Sequence, residues 1–496
     1  MKLRDYIFFF MLLTGLLAAA VAQDENAPQS PENNNPPVNS TPSPAFGQEG
    51  PAPQQNVDNP PLSGLDLPNL DPNASSRSFL VPGIHVSEAL DSNISNQLGN
   101  STSFHGVTRA LGSLALQKLW RNYNLGLQYV GGGAYYGGSN IGWTQFHSLD
   151  ADQRYLWRTG QFALRDRFSY LPEGAFGYGA YGGSGALAGV GGLGGEGGLT
   201  GVGLGPGGSL LGGSAQLASL GQDPRITNTA IADIVQALSP RSSFTLAGSF
   251  GLVHFLDTTS TQIVNGVPVT FINSQAANGQ AGYNYQITRS DQIGFLYGYQ
   301  SFHYPTSVAG DFRTHIFHLL YGHRISGRMD LVLGGGPQLT HINNLSFGST
   351  STLNVSGQAS LRYRFPLTSV SVTYDRYNSN GSGFYGGAKT NLFRFIATRP
   401  FGRLWSATAD VGYTTNTRIL PATTGTVPGQ SFNYFYAGAS VHRHIGRQFE
   451  GFASYQFNNL NFDSSFCASS SGCHRTLDRQ VILLGLDWTP HPIRLD

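Results

Sequence analysis

Between Leu353 and Phe365 the chain alternates without a break. Leu353, Val355, Gly357, Ala359, Leu361, Tyr363 and Phe365 take one parity, and Asn354, Ser356, Gln358, Ser360, Arg362 and Arg364 take the other. A period of two is the repeat of a β-strand, whose successive side chains point to opposite faces. One face here is apolar or small and the other polar, so the strand must separate two different solvents. Trp405, Ala407, Ala409, Val411 and Tyr413 repeat the pattern against Ser406, Thr408, Asp410, Gly412 and Thr414. So do Ala281, Tyr283, Tyr285 and Ile287, and then Ile293, Phe295, Tyr297 and Tyr299. Aromatic residues often end these apolar rows, as expected where strands cross a lipid–water interface.

Soluble sandwiches alternate too, so the connections decide between the two. Eight links are short, around Arg121-Asn122, Thr159-Gly160, Pro240-Arg241, Ser290-Asp291, Gly327-Arg328, Leu367-Thr368, Phe401-Gly402 and Arg447-Gln448. Nine longer links lie between them, near 92–106, 135–147, 172–225, 257–275, 304–310, 341–350, 378–389, 417–430 and 459–474. Strict alternation of short and long is the asymmetry of a transmembrane barrel, with turns on one side and loops on the other. The predicted fold is therefore all-β, an antiparallel transmembrane β-barrel of about 18 strands, with 16 as the alternative. The first strand, Gly83 to Asp91, and the segment Phe312 to Arg324, where either face could be the lipid side, are the ambiguous ones. Pro337 sits within a strand, where it removes a ladder hydrogen bond.

The two ends of the chain fit that organisation. Residues 1–22 combine Lys2 and Arg4, an apolar run from Ile7 to Leu17 and Ala20-Val21-Ala22 before Gln23. That is the layout of a secretory signal peptide. Residues 23–78 are rich in Pro, Asn, Gln and Ser and read as a disordered periplasmic leader, too poor in apolar surface to offset its ordering entropy. Residues 79–496 form the barrel. Charged residues are only 11% of the chain and the net charge is +1, which gives no case for a nucleic-acid partner. Cys467 and Cys473, exported to an oxidising compartment, are expected to pair as a disulfide. His474 beside them is too little for a metal site, and no cofactor is implied.

The signal peptide, alternating strands, short turns and long loops resemble bacterial outer-membrane porins and porin-like barrels, over everything after the leader. No motif of a named porin family occurs. The resemblance implies a bacterial outer-membrane location with both termini periplasmic. Lipid, lipopolysaccharide and the barrel-assembly machinery would be the partners. A homo-oligomer fits the resemblance, although the lipid-facing rows read as apolar all round and mark no subunit face. Ile482, Leu484, Leu486 and Trp488 look like the terminal insertion strand of such barrels, but eight residues follow Trp488.

Function in such a barrel belongs to inward positions. Asp150, Asp152, Arg154 and Arg158 on the fourth strand, with Arg165 and Arg167 on the fifth, make a charged patch, and Arg362, Arg364, Asp410 and Glu450 are further pore-lining candidates. Charged patches tune solute preference in pores, though such residues also serve as ion pairs that hold a wall. The Gly-rich third long loop, 172–225, with Glu173 and Glu196 as the acids around its Gly-rich stretch, is the constriction candidate by analogy with porins. A plug or a mobile loop are its other readings. Gly203, Gly205 and Gly208 form a G-x-G-x-x-G string without the strand-turn-helix setting of a nucleotide site. Ser440, His442, His444 and Asp410 are the residues an enzymatic barrel would use, but no nucleophile elbow accompanies them. The expectation is a passive channel for small hydrophilic solutes, not an enzyme. The alternative is a non-conducting structural or surface-binding barrel.

Overall fold

In the computed structural model the described residues are 60–65, 78–95, 97–99, 103–138, 142–171, 224–256, 262–264, 267–269, 271–305, 310–344, 348–365, 367–383, 385–420, 429–467 and 473–495. The wall begins with β1 (Phe79–Asp91), β2 (His105–Leu119), β3 (Tyr123–Tyr136), β4 (Gly142–Trp157), β5 (Gly160–Leu171), β6 (Arg225–Ser239) and β7 (Ser242–Phe255). A separate small hairpin, β8 (Gln262–Val264) and β9 (Val267–Val269), follows. The wall resumes with β10 (Ser274–Gln286), β11 (Asp291–His303), β12 (Asp311–Ser326), β13 (Met329–Asn344), β14 (Gly348–Arg364) and β15 (Ser369–Ser379). It ends with β16 (Ala388–Phe401), β17 (Trp405–Arg418), β18 (Ser431–Ile445), β19 (Phe449–Phe462) and β20 (Thr476–Trp488).

Each wall strand pairs antiparallel with the next, β7 pairs with β10, and β20 returns to pair with β1 from Ile84↔Trp488 to Asp91↔Val481. The result is a closed barrel of 18 strands. Closure removes both edges, so every wall strand finds ladder partners, which is the only way a sheet can sit in hydrocarbon.

The two faces separate by parity as the sequence predicts. On β14, Leu353 and Val355 are 73% and 63% exposed outward, while Ser356 and Gln358 are 1% and 9% exposed inward. On β1 the outward Ile84, Val86 and Leu90 alternate with the buried His85, Ser87, Ala89 and Asp91. Moving an outward row from water into hydrocarbon is favourable by roughly 25 cal/mol per Å² of apolar surface. The outer rows are not apolar throughout, however. Asp166 faces outward midway along β5, and Asn228 Nδ2 donates to its Oδ1 at 2.9 Å.

All eight short turns fall where the sequence places them. Two long links are shorter than read. Residues 345–347 alone join β13 to β14, and 137–141 join β3 to β4, because the ladders continue to Asn344↔Gly348 and Tyr136↔Gly142. The ambiguous strand resolves as well: Phe317, Leu319 and Tyr321 face outward, and Phe312, Ile316 and Leu320 are fully buried inside. Pro337 is accommodated by a gap in the β12–β13 register, which passes from Ile316↔Gln338 to Leu319↔Gly335. Its neighbour Gly336 must be glycine, since a Cβ there would lie 2.0 Å from the carbonyl oxygen of Phe317.

After Trp488 the chain turns back, and β21 (Ile493–Arg494) pairs with Phe79 and Leu80 at the foot of β1. That accounts for the residues beyond the final wall strand. Cys467 and Cys473 form a disulfide with Cα atoms 5.6 Å apart. From the span 23–78 the structure describes 60–65 and Ser78, and it seats 60–65 inside the barrel against β7 and β10–β13. The signal segment 1–22 and the Gly-rich insertion from 172 to 223, with Glu173 and Glu196, lie outside the described residues.

Candidate functional site

The inward positions of β4, β5 and β6 carry a chain of alternating charges. Arg154 Nη2 lies 3.0 Å from Asp152 Oδ2, and Arg165 Nε lies 3.7 Å from the same oxygen. Arg165 Nη1 also lies 2.6 Å from Asp233 Oδ1 on β6, and Arg167 pairs with Asp150. The register produces these contacts, because Asp150↔Arg167 and Asp152↔Arg165 are directly opposed across β4 and β5. Asp150, Asp152 and Arg167 keep 33%, 36% and 28% of their side chains exposed. The patch is therefore both paired and reached by solvent. Arg158 does not join it: it is exposed in the turn after β4.

The other candidates sit in separate contacts. Arg362 Nε donates to Asp330 Oδ2 at 3.1 Å across β13 and β14, and Arg364 closes β14 opposite Ser369. Asp410 is buried, receiving Arg394 Nη2 at 2.6 Å and the Tyr436 hydroxyl at 3.0 Å. Glu450 lies 2.8 Å from His442 Nδ1 and 3.1 Å from His444 Nδ1.

Among the described residues, two groups have the make-up of a nucleophile, base and acid. His442 Nε2 is 3.2 Å from Ser440 Oγ, with Glu450 as its acid and not Asp410. His85 lies between Ser113 Oγ and Asp487 Oδ1, at 2.8 Å from each, and this buried trio is absent from the sequence reading. Its members come from β2, β1 and β20, so only the barrel closure brings them together. Both serines lie inside paired strands, whose backbone N–H groups go to the ladder and not to an oxyanion. The arrangement suits cross-strand ties better than acyl transfer. Arg479 and Asp91, 1% and 0% exposed, form a further inward pair missed in the sequence, with Nε 2.9 Å from Oδ2.

The inner wall is mostly covered. Asn284, Gln300, Thr314, Thr340, Ser356 and Gln456 are each nearly inaccessible. At the end with the long links, an apolar cluster joins Val253 and Phe255 of β7 to Tyr377, Phe432, Tyr434, Leu460 and Leu477 on β15 and β18–β20. The link after β15 reaches inward to make it. Gly383 accepts a hydrogen bond from Ile272 N at 3.0 Å, and Asn380 Nδ2 donates to Ser274 Oγ at 3.2 Å. The Asp150–Asp152 patch is wetter than these residues, and Ser360 and Arg362 of β14 with Ser371 and Thr373 of β15 are likewise only half-buried.

No protein-family model matches the chain, and no curated protein matches it. Among solved structures, OpdQ of Pseudomonas aeruginosa is 10% identical, with a TM-score of 0.38 over 84% of this chain and 98% of its own. The outer membrane protein OpdK of Pseudomonas aeruginosa is 10% identical, with a TM-score of 0.39 over 83% and 99%. The FrpB iron transporter of Neisseria meningitidis is 8% identical, with a TM-score of 0.38 over 84% and 82%. These are distant likenesses of shape.

Proposed function

We propose that the chain is a bacterial outer-membrane channel that passes small hydrophilic solutes along a polar lumen, with the short turns and both termini on the periplasmic side. The observation that carries this reading is the charged, solvent-reached patch on β4 and β5, set in a barrel whose outer rows are mostly apolar. Charges inside a membrane wall are costly unless water reaches them, and water that reaches them defines a path. The path is narrow, since most other inner side chains are covered. The Gly-rich insertion 172–225, which carries Glu173 and Glu196, narrows it further in this reading. Lipid, lipopolysaccharide and the assembly machinery are its partners, and the barrel performs no catalysis.

Refolded protein in planar bilayers tests this. Discrete conductance steps are expected, and deleting Gly174 to Gly213 should raise them. A persistently silent barrel overturns the channel, and unchanged conductance after the deletion overturns the constriction. The covered inner wall and the apolar cluster across the long-link end favour a second reading, a closed barrel whose loops bind a partner. Silence together with a stable fold would select it.

A further inference from the structure

A water-filled lumen calls for polar inner positions, yet Leu296, Ile316, Leu320 and Val332 all face inward on β11, β12 and β13. Ile231 and Ala247 do the same on β6 and β7. Uncovered, these patches would leave apolar surface against water at roughly 25 cal/mol per Å². The structure shows what covers them. Leu62 packs into the first group and Leu65 into the second.

Between the two leucines, Ser63 is held by its backbone and its side chain together. Its N–H donates to Asn284 Oδ1 at 3.0 Å, and its carbonyl accepts from Gln280 Nε2 at 3.1 Å. Its hydroxyl accepts from Asn284 Nδ2 at 2.6 Å and lies 2.5 Å from Thr245 Oγ1. The segment turns on itself, with Gly64 N donating to the Pro61 carbonyl at 2.9 Å. The wall has given up side chains to seat it. A Cβ on Gly282 would lie 2.2 Å from Ser63 Oγ, and one on Gly322 would lie 2.5 Å from Leu62 Cδ2.

We propose that Pro60–Leu65 is a tethered latch, part of the chain's own leader, which docks in this cradle and restricts the lumen near its short-turn end. The placement follows from the strands: Thr245 is three residues from the start of β7, and Asn284 is two from the end of β10. The latch narrows the channel, and its release widens it. This rests on the channel reading above.

Two measurements test it. In a Ser63→Cys/Thr245→Cys variant, mild oxidation should cross-link the two positions, detected by mass spectrometry of the digested barrel. A Ser63→Cys/Ser454→Cys control, aimed at the far side of the ring, should give no cross-link. Absence of the first cross-link, or equal yield of both, overturns the docking. Deleting residues 60–65 should raise single-channel conductance about twofold or more, and a synthetic peptide of residues 57–68 added in solution should reverse the gain. Because a deletion could disturb assembly, Gly282→Val offers a second route: it fills the Ser63 seat and should raise conductance with the chain length unchanged. Equal conductance in full-length and latch-free protein overturns the gate and leaves the channel standing. Silence of all forms overturns the channel and the gate together, while the cross-link still reports the docking.

Discussion

At the residue scale, the inner wall is organised by ion pairs whose cost or benefit depends on burial. Arg479 and Asp91 are almost wholly enclosed, so removing one partner strands a charge with no water to take it up. Asp91→Ala should destabilise the barrel by about 3–5 kcal/mol, read as a lower denaturant midpoint in detergent micelles. Asp150→Asn with Asp152→Asn changes two carboxylates that water reaches and should cost less stability. It should instead lower cation over anion permeability by about twofold, measured as a reversal-potential shift in a salt gradient. Asp463, beyond the end of β19, gives a pH-dependent term. Burial pushes its pKa up, but hydrogen bonds from Ser465 and from the N–H groups of Gln430 and Ser431 outweigh this and hold it below the ordinary value. A depressed folded pKa means that the carboxylate stabilises the fold above its unfolded pKa and ceases to do so as pH falls through the folded one. Thermal unfolding from about pH 5 downward should therefore be less pH-sensitive in Asp463→Asn than in the parent.

At the scale of elements, the strands and their turns were legible because each wall strand meets two solvents and writes them as a period of two. The short turns were found at all eight places for the same reason. Loop lengths were less legible. Between β13 and β14 the ladder runs on through Asn343 and Asn344, whose polar side chains read as loop. The faces of β12 were ambiguous because Ile316 and Leu320 serve an inserted segment and not lipid. The leader's composition gave no sign of its docking, since two leucines and one serine among prolines do not announce a binding segment. Parity made most of the ion-pair patch legible, but it also picked Arg158, which lies in the turn, and missed Asp233, whereas the Ser113–His85–Asp487 trio needs the register of three strands from opposite ends of the chain. The Cys467–Cys473 disulfide closes a loop with a sequence separation of only 6. Its removal in Cys467→Ser/Cys473→Ser should cost about 2 kcal/mol by loop-closure entropy, seen as a small fall in the denaturant midpoint with the barrel still formed.

At the scale of the whole molecule, closure of β20 on β1 divides every wall strand into an outward row and a lumen row, and the site, the latch and the covered wall all follow from that division. Site-directed spin labelling along β14 in lipid bilayers tests it most directly, one label at a time from Leu353 to Arg362. The account predicts a period-two oscillation, with dissolved oxygen reaching Leu353, Val355, Gly357, Ala359 and Leu361 and shielded from Asn354, Ser356, Gln358, Ser360 and Arg362. High accessibility of the Leu353 row to a charged, water-soluble relaxant would contradict it, because that row would then face water and the barrel would not span the membrane.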